Sequence, residues 1–327
     1  MRNTTAKSFW IRKKYNSFIK THPISIPKTD ELLIKTIYSG ISYGTEKIVY
    51  TGAVPQSQKK LMRCPFQEGE FGNDLKYGYI NVGKIIEGPN DYKNKPVFTL
   101  FPHQTLFTLK KEDVTFIPDH IPLKRCLLTA NMETAINALW DTLPTCGDRI
   151  LVLGAGIVGI LTAYVAKSIF GTDVLLVDTF TENRKIIQSL GINFSQQIPK
   201  DLKVNIAYEC SGDPNSLNKL RSNLRDEAMI CILSWYGDNI SKVNFGEDFL
   251  SKRIKIIFSQ VSKISQNRSK YWNNQERREL AISLLEDKKL DMLIEKEMLE
   301  FNNLPEFFSN IDDSKRYLCK VIDYHGE

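Results

Sequence analysis

The sequence has six cysteines, at positions 64, 126, 146, 210, 231 and 319, and no two of them form a C-x-x-C pair. That spacing excludes a structural zinc cluster and a disulfide framework, and suits free thiols packed as small apolar side chains. Histidine is scarcer still. Only His22, His103, His120 and His325 occur, so imidazole-built metal centres are not expected. No apolar run approaches the about 20 residues needed to cross a bilayer. The opening Met1-Arg2-Asn3-Thr4-Thr5-Ala6-Lys7 is not followed by the apolar core of a signal peptide. A cytoplasmic protein with no membrane partner is the expectation. Internal repeats and low-complexity segments are also absent. The formal charge of +6 is spread along the chain, with small clusters at Arg12-Lys13-Lys14 and Lys252-Arg253-Ile254-Lys255. A nucleic-acid footprint needs more concentration than this, whereas attraction of anionic small molecules does not.

What is present is an ordinary globular composition, 42% hydrophobic and 25% charged, in 327 residues, enough for two domains. The most informative segment is the apolar run Arg149-Ile150-Leu151-Val152-Leu153, which leads into Gly154-Ala155-Gly156-Ile157-Val158-Gly159. It reads as strand, tight turn and helix. A dinucleotide's pyrophosphate needs such a turn, free of side chains, at the positive end of the following helix. Gly154, Gly156 and Gly159 supply it, and Ile157 and Val158 open the helix. A second apolar run, Asp173-Val174-Leu175-Leu176-Val177, ends in Asp178, about twenty residues past the last glycine, where a carboxylate accepts from an adenosine ribose. Its charge repels a ribose 2′-phosphate, so NAD is the expected cofactor. Arg184 and Lys185, on the next helix, keep NADP open as an alternative.

Around the motif, strands and helices alternate. Strands are predicted at residues 149–153, 173–178, 204–209, 229–234 and 254–258, with helices at 157–170, 181–190 and 213–224. This alternation calls for a doubly wound parallel sheet of the Rossmann type. Ser211-Gly212 and Ser234-Trp235-Tyr236-Gly237 end two of these strands at the carboxyl edge of the sheet, where ligands bind, and Gln260 follows the last one. Before the motif, β-branched and alternating segments at 8–12, 31–38, 79–86, 97–100 and 105–109 predict an antiparallel β domain. A helix over about 123–143 links the two. After the sheet come helices near 275–286 and 305–311 and a closing strand at 318–323. The longest irregular stretch, 51–76, is a candidate wall of a substrate site or a plain surface excursion.

This layout resembles the medium-chain dehydrogenase/reductase superfamily, over essentially the whole chain. The likeness is carried by Ser8-Phe9-Trp10, by residues 33–41 and by Lys320-Val321-Ile322. Ser39-Gly40-Ile41-Ser42-Tyr43-Gly44-Thr45-Glu46, Phe101-Pro102-His103-Gln104 and Asn131-Met132-Glu133-Thr134-Ala135 are similar to a zinc-lacking branch, often labelled zinc-type alcohol dehydrogenase-like and similar to bacteriochlorophyllide hydroxyethyl dehydrogenases. The resemblance implies an α/β protein with a GroES-like catalytic domain over 1–122, a Rossmann domain over 123–260 and a C-terminal segment, 261–327, that returns to the catalytic domain. It also implies Asn131, Glu133 and Thr134 beside the nicotinamide and, by analogy, a homodimer. Zinc members carry G-I-C-x-T-D, where this chain has Ser42 or Tyr43 in place of the cysteine. Their G-H-E corresponds to Gly78-Tyr79-Ile80, so tyrosine replaces the histidine ligand. Neither Cys nor Glu stands at the third position, near Thr129 and Ala130, and the four-cysteine lobe is missing between Phe101 and Val114. No zinc is expected.

Without a Lewis acid, the oxygen of a substrate still needs a proton partner. Tyr43, Thr45, Tyr79 and His103 are the candidates. Thr45 matches the threonine that passes the substrate proton in zinc members. Tyr79 places a phenol where the metal ligand is lost, or packs as an aromatic on a strand. His103 is a general base or an imidazole satisfied by backbone bonds. Tyr43 and Lys47 share the Y-x-x-x-K spacing of short-chain dehydrogenases, but they precede the glycine motif. The leading expectation is a zinc-independent, NAD-dependent oxidoreductase that interconverts a secondary alcohol and a ketone on a small-molecule substrate, bulky or planar if the aromatics line its site. An enoyl or quinone reductase and a catalytically idle NAD-binding protein stand as alternatives.

Overall fold

A computed structural model describes residues 4–25, 27–311 and 316–327, so the first three residues of the opening stretch lie outside it. The chain divides into two compact units: one holds the residues up to Ala130 together with Ile282–Glu327, the other Asn131–Ala281. Among the described residues no helix is long and apolar enough to cross a membrane.

In the first unit, β1 (Thr5–Lys13) and β2 (Asn16–Pro23) form an antiparallel hairpin. β3 (Glu31–Ile41) is the organising strand and runs directly into α1 (Tyr43–Tyr50). Two short strands follow, β4 (Glu68–Gly69) and β5 (Leu75–Lys76), then β6 (Asn81–Glu87), β7 (Pro96–Thr99), β8 (Leu106–Lys110) and β9 (Val114–Phe116). From the C-terminal part come β16 (Leu299–Glu300), α8 (Leu304–Ser309) and β17 (Lys320–Asp323). β3 pairs antiparallel with β6, β8 and β17, which brings the two ends of the chain into one sheet of order β16-β17-β3-β6-β7-β9 with β8 added on β3. Alternate residues of these strands, Leu32, Ile34, Ile85, Val97, Phe107 and Leu109, make a closed core in which Phe101 and Phe107 stack at 3.8 Å. A second sheet, β2-β1-β5-β4, captures the end of the 51–76 stretch. That stretch is therefore tethered. Lys76, 1% exposed, bonds Gln104 Oε1 at 2.7 Å and the Glu68 carboxylate, closing the loop on the unit's own body.

The second unit opens in α2 (Thr129–Thr142) and continues as β10 (Arg149–Leu153), α3 (Ile157–Lys167), β11 (Asp173–Val177), α4 (Arg184–Ser189), β12 (Asn193–Ser195), β13 (Val204–Glu209), α5 (Ser216–Leu220), β14 (Leu224–Ile232), α6 (Asp248–Ser251), β15 (Lys255–Phe258) and α7 (Asn274–Ser283). The order β12-β11-β10-β13-β14-β15, parallel throughout, is the doubly wound sheet that the alternation predicts. The winding reverses between β10 and β13. A crevice for ligands forms outside the carboxyl ends at such a switch point, and the glycine turn leaves β10 there.

The differences from the sequence expectations lie where polar residues carry strand. β14 begins at Leu224, earlier than 229, because the ladder continues through a register shift past Arg225, Asp226 and Glu227, whose φ of 61° bends the strand. Charged residues hide such a strand from alternation. β2, half-exposed along its length, escapes for the same reason. α4 and α5 are shorter than expected, each followed by a turn or 3-10 segment.

Candidate functional site

The glycine turn of the second unit has three positions with three different reasons for lacking a side chain. Gly154 has φ of +100°, and a Cβ there would lie 2.6 Å from the Cys210 carbonyl oxygen. Gly159 packs on the turn itself, with a Cβ falling 1.9 Å from the Gly154 carbonyl oxygen. Gly156 is different. A Cβ built on it meets nothing within 4 Å, and its φ of −75° is open to any residue. The protein's own packing does not require glycine there, so the space beside it is available to a ligand. Gly156 is also the N-cap of α3, with no side-chain cap and no acid in the first turn, so Ile157, Val158 and Gly159 open the helix with uncapped N–H groups.

Asp178, 7% exposed, stands at the end of β11. The sequence reading made it a ribose acceptor alone. The structure gives it a further task, because Oδ2 accepts from the Ala155 N–H at 2.7 Å and Oδ1 from the Phe180 N–H at 2.9 Å. The Asn183 amide donates to the Ala155 carbonyl at 3.3 Å, so both ends of that residue are held. The serines are committed as well. The Ser211 N–H and hydroxyl bond the buried Glu209 carboxylate, which also accepts from the Tyr236 hydroxyl at 2.7 Å. Ser234 Oγ accepts from the Gly212 N–H at 3.0 Å. These residues shape the carboxyl edge of the sheet through one buried carboxylate that sequence reasoning did not single out. Gln260 Oε1 accepts from the Ser262 N–H at 3.2 Å, and Thr134 lies half-buried on α2. Glu133, expected beside the nicotinamide, is instead taken by Arg277 and Arg278, each at 3.3 Å.

In the first unit the structure gathers a hydroxyl cluster. The Tyr79 phenol donates to Ser42 Oγ at 2.5 Å, and the Thr45 side chain hydrogen-bonds the same phenol. Of the two residues offered by sequence for the lost cysteine, Ser42 is the one that meets Tyr79. Gly78, with φ of +123°, turns the chain just before Tyr79, and a Cβ there would strike His103 Cδ2 at 2.9 Å. Burial pushes the Tyr79 hydroxyl up to about 12, opposed by the bonds to Ser42 and Thr45 and reinforced by Glu46 and Cys64. It is a proton-bearing group. Tyr43 lies on the first turn of α1 with its ring 5.2 Å from that of Tyr317, and Lys47 Nζ sits over the Tyr43 ring at 5.9 Å. That geometry is a cation over a ring face.

His103 is a correction. It has no exposed surface, and side chains rather than backbone groups satisfy it: Nδ1 lies 2.8 Å from Ser39 Oγ and Nε2 3.0 Å from Glu46 Oε2. Ser39 Oγ in turn meets the Tyr324 hydroxyl at 3.0 Å. A fully buried imidazole with both nitrogens engaged cannot touch a substrate. Glu46, 2% exposed, was missed by sequence reasoning, as were Ser39 and Tyr324. The one available signal was a carboxylate four residues after Ser42, at the start of a helix. Among the described residues no group of three or more His, Cys, Asp or Glu is arranged to hold a metal ion.

No family model matches the chain. An NADPH-dependent alkenal/one oxidoreductase of Arabidopsis thaliana is 30% identical over 155 residues, 44% of this chain and 38% of the relative. The chain thus matches well under half the length of that relative. A 2-desacetyl-2-hydroxyethyl bacteriochlorophyllide A dehydrogenase of Cereibacter sphaeroides is 23% identical over 68% of this chain and 72% of its own. Among solved structures, L-idonate 5-dehydrogenase of Escherichia coli superimposes with a TM-score of 0.79 over 98% of this chain and 99% of that one, at 13% identity. Others of the same fold hold NADP in one case and NADH in another. The chain therefore has the fold of the medium-chain dehydrogenase/reductases and resembles their zinc-type alcohol dehydrogenase-like members.

Proposed function

We propose that the chain is a zinc-independent, NAD-dependent oxidoreductase that interconverts a secondary alcohol and a ketone. The observation that carries this reading is Gly156, whose missing side chain serves no internal packing and leaves room at the uncapped start of α3 for a pyrophosphate. Bound there, a nicotinamide dinucleotide supplies the hydride donor or acceptor. The chain's own residues supply the rest. Asp178 holds the glycine turn in shape and presents a buried negative charge that favours a free ribose over a phosphorylated one, which supports NAD over NADP. Tyr79, kept protonated by burial, donates its proton to a carbonyl oxygen in reduction and takes it back in oxidation, with Ser42 and Thr45 to replenish it. Zinc independence is supported by the donor set. The hydroxyls of Ser42 and Tyr79, at the positions where zinc members carry ligands, are poor partners for zinc and bond each other instead.

The relatives named for reduction of activated double bonds, the alkenal/one oxidoreductase and a 2-methylene-furan-3-one reductase, favour a second reading in which the same donor protonates a reduced enone. One experiment separates the readings. NADH binding is measured by fluorescence titration, then NADH oxidation with an aryl ketone, a 2-ketose, a vicinal diketone and an α,β-unsaturated ketone. Turnover of the saturated ketones supports the first reading, and turnover of the unsaturated ketone alone supports the second. Failure of NADH to bind removes both.

A further inference from the structure

Behind the hydroxyl cluster, Glu46 joins the start of α1 to His103. Ser42 is the N-cap of α1, and a serine there ordinarily turns its hydroxyl back onto the helix N–H groups. Here it makes no such cap. Glu46 reaches back to bond the Ser42 N–H through Oε1 at 2.8 Å, while its other oxygen is held by His103 Nε2 at 3.0 Å. A carboxylate only accepts, so His103 donates from Nε2, while Nδ1 meets the Ser39 hydroxyl. Ser39 Oγ is met by Tyr324, one residue past β17, so both ends of the chain fix the imidazole. Every member of this chain of bonds is buried, and none of the bonds leads to solvent.

We infer that Glu46, clamped by His103, is a positioning residue for Tyr79: it seats the Ser42 backbone so that the serine hydroxyl is turned from helix capping to the phenol. The inference rests on the reading of Tyr79 as proton donor and extends it to a carboxylate and an imidazole that touch neither substrate nor cofactor. Glu46→Gln keeps one acceptor but sets an amide donor against the His103 Nε2 donor, so the clamp opens, Ser42 loosens and the phenol loses its fixed partner. The titratable groups around that phenol are Glu46 on α1, Cys64 from the preceding loop, Tyr77 beside it on the chain and His103 behind Gly78.

The test is a double-mutant cycle in kcat for the panel ketone, with Glu46→Gln, Tyr79→Phe and the pair. Glu46→Gln is expected to cut kcat by about tenfold to a hundredfold, the scale at which a misplaced group acts, with the NADH dissociation constant unchanged. In the Tyr79→Phe background it is expected to cost nothing further. If its full factor persists there, Glu46 does not act through Tyr79 and the inference falls. Should Glu46→Gln fail to fold, Glu46→Asp, one methylene too short to hold both the Ser42 N–H and His103, is expected to show the same loss and the same absence of effect on Tyr79→Phe, and additivity overturns the inference again. A substrate-free arm uses protein labelled with 3-fluorotyrosine, with the Tyr79 fluorine resonance identified by its loss in Tyr79→Phe. Glu46→Gln is expected to move that resonance at neutral pH, because the phenol's hydrogen-bond partner is displaced. An unmoved resonance overturns the coupling. Normal turnover in Tyr79→Phe with a moved resonance instead overturns only the donor assignment under the proposed function.

Discussion

The Tyr79 phenol donates a hydrogen bond to Ser42 Oγ at 2.5 Å, joining the N-cap residue of α1 to a residue 37 positions further along the chain. Under the proposed function this O–H turns from Ser42 to a developing alkoxide, and removing one such donor commonly costs about a hundredfold in rate. Tyr79→Phe and Thr45→Val are each expected to lower turnover of the panel ketone, Tyr79→Phe on that scale, with NADH affinity within about twofold of the parent. Steady-state kinetics beside a fluorescence titration checks this. Normal turnover in both variants removes the hydroxyl cluster from the chemistry.

The glycines of the turn are expected to separate folding from binding. Gly156→Val has room and an allowed backbone, so it should melt near the parent while losing NADH binding. Gly159→Ala forces a Cβ to 1.9 Å from the Gly154 carbonyl oxygen, and such overpacking costs about 1–3 kcal/mol. Thermal melts and NADH titrations of the two variants decide it. A parent-like NADH affinity in Gly156→Val shows that the turn serves folding alone.

Cofactor choice is expected to follow Asp178. NADH should bind at least about tenfold more tightly than NADPH, since bringing a phosphate beside a buried carboxylate costs more than one factor of ten in affinity. Asp178→Ser should narrow the gap. It should also lower the melting temperature, because Asp178 Oδ2 accepts from the Ala155 N–H at 2.7 Å. Equal affinities in the parent protein contradict the assignment of NAD.

Metal analysis of the purified protein is expected to find well under one zinc per chain, and incubation with a chelator should leave the melting curve and any turnover unchanged. A stoichiometric zinc that chelation removes together with activity overturns the metal-free reading.

Alkaline pH is expected to destabilise the chain early. Burial raises the thiols of Cys64, Cys126 and Cys319 from 9.0 to about 12 each. The folded state holds these protons more tightly than the unfolded chain, so the contribution is complete below pH 9.0 and is lost progressively between 9.0 and about 12. Urea midpoints taken from pH 7 to 10.5 should therefore fall above pH 9, and Cys126→Ala should flatten the fall. A flat profile in the parent protein contradicts it.

Which features were legible in the sequence follows from what is local. The apolar run 149–153, the three glycines and the run ending at Asp178 are each contiguous, and strand periodicity with backbone freedom is a property of neighbours along the chain. The parallel order of β10–β15 follows from that alternation, because consecutive parallel strands need a crossover helix. Tyr79 was likewise readable as a candidate, since it sits inside a recognisable tripeptide. What only the tertiary structure decided is the partner of each buried polar group. His103 bonds Ser39 and Glu46 from 64 and 57 residues away, Tyr324 closes that chain from 285 residues beyond Ser39, and Glu133 is claimed by arginines 144 and 145 residues later. A buried hydrogen-bonding group must find a partner wherever the fold brings one, and that pairing depends on packing that leaves no periodic trace in the sequence. So the residue types announced a glycine turn and a phenol, and the fold alone determined that the imidazole is buried between Ser39 and Glu46.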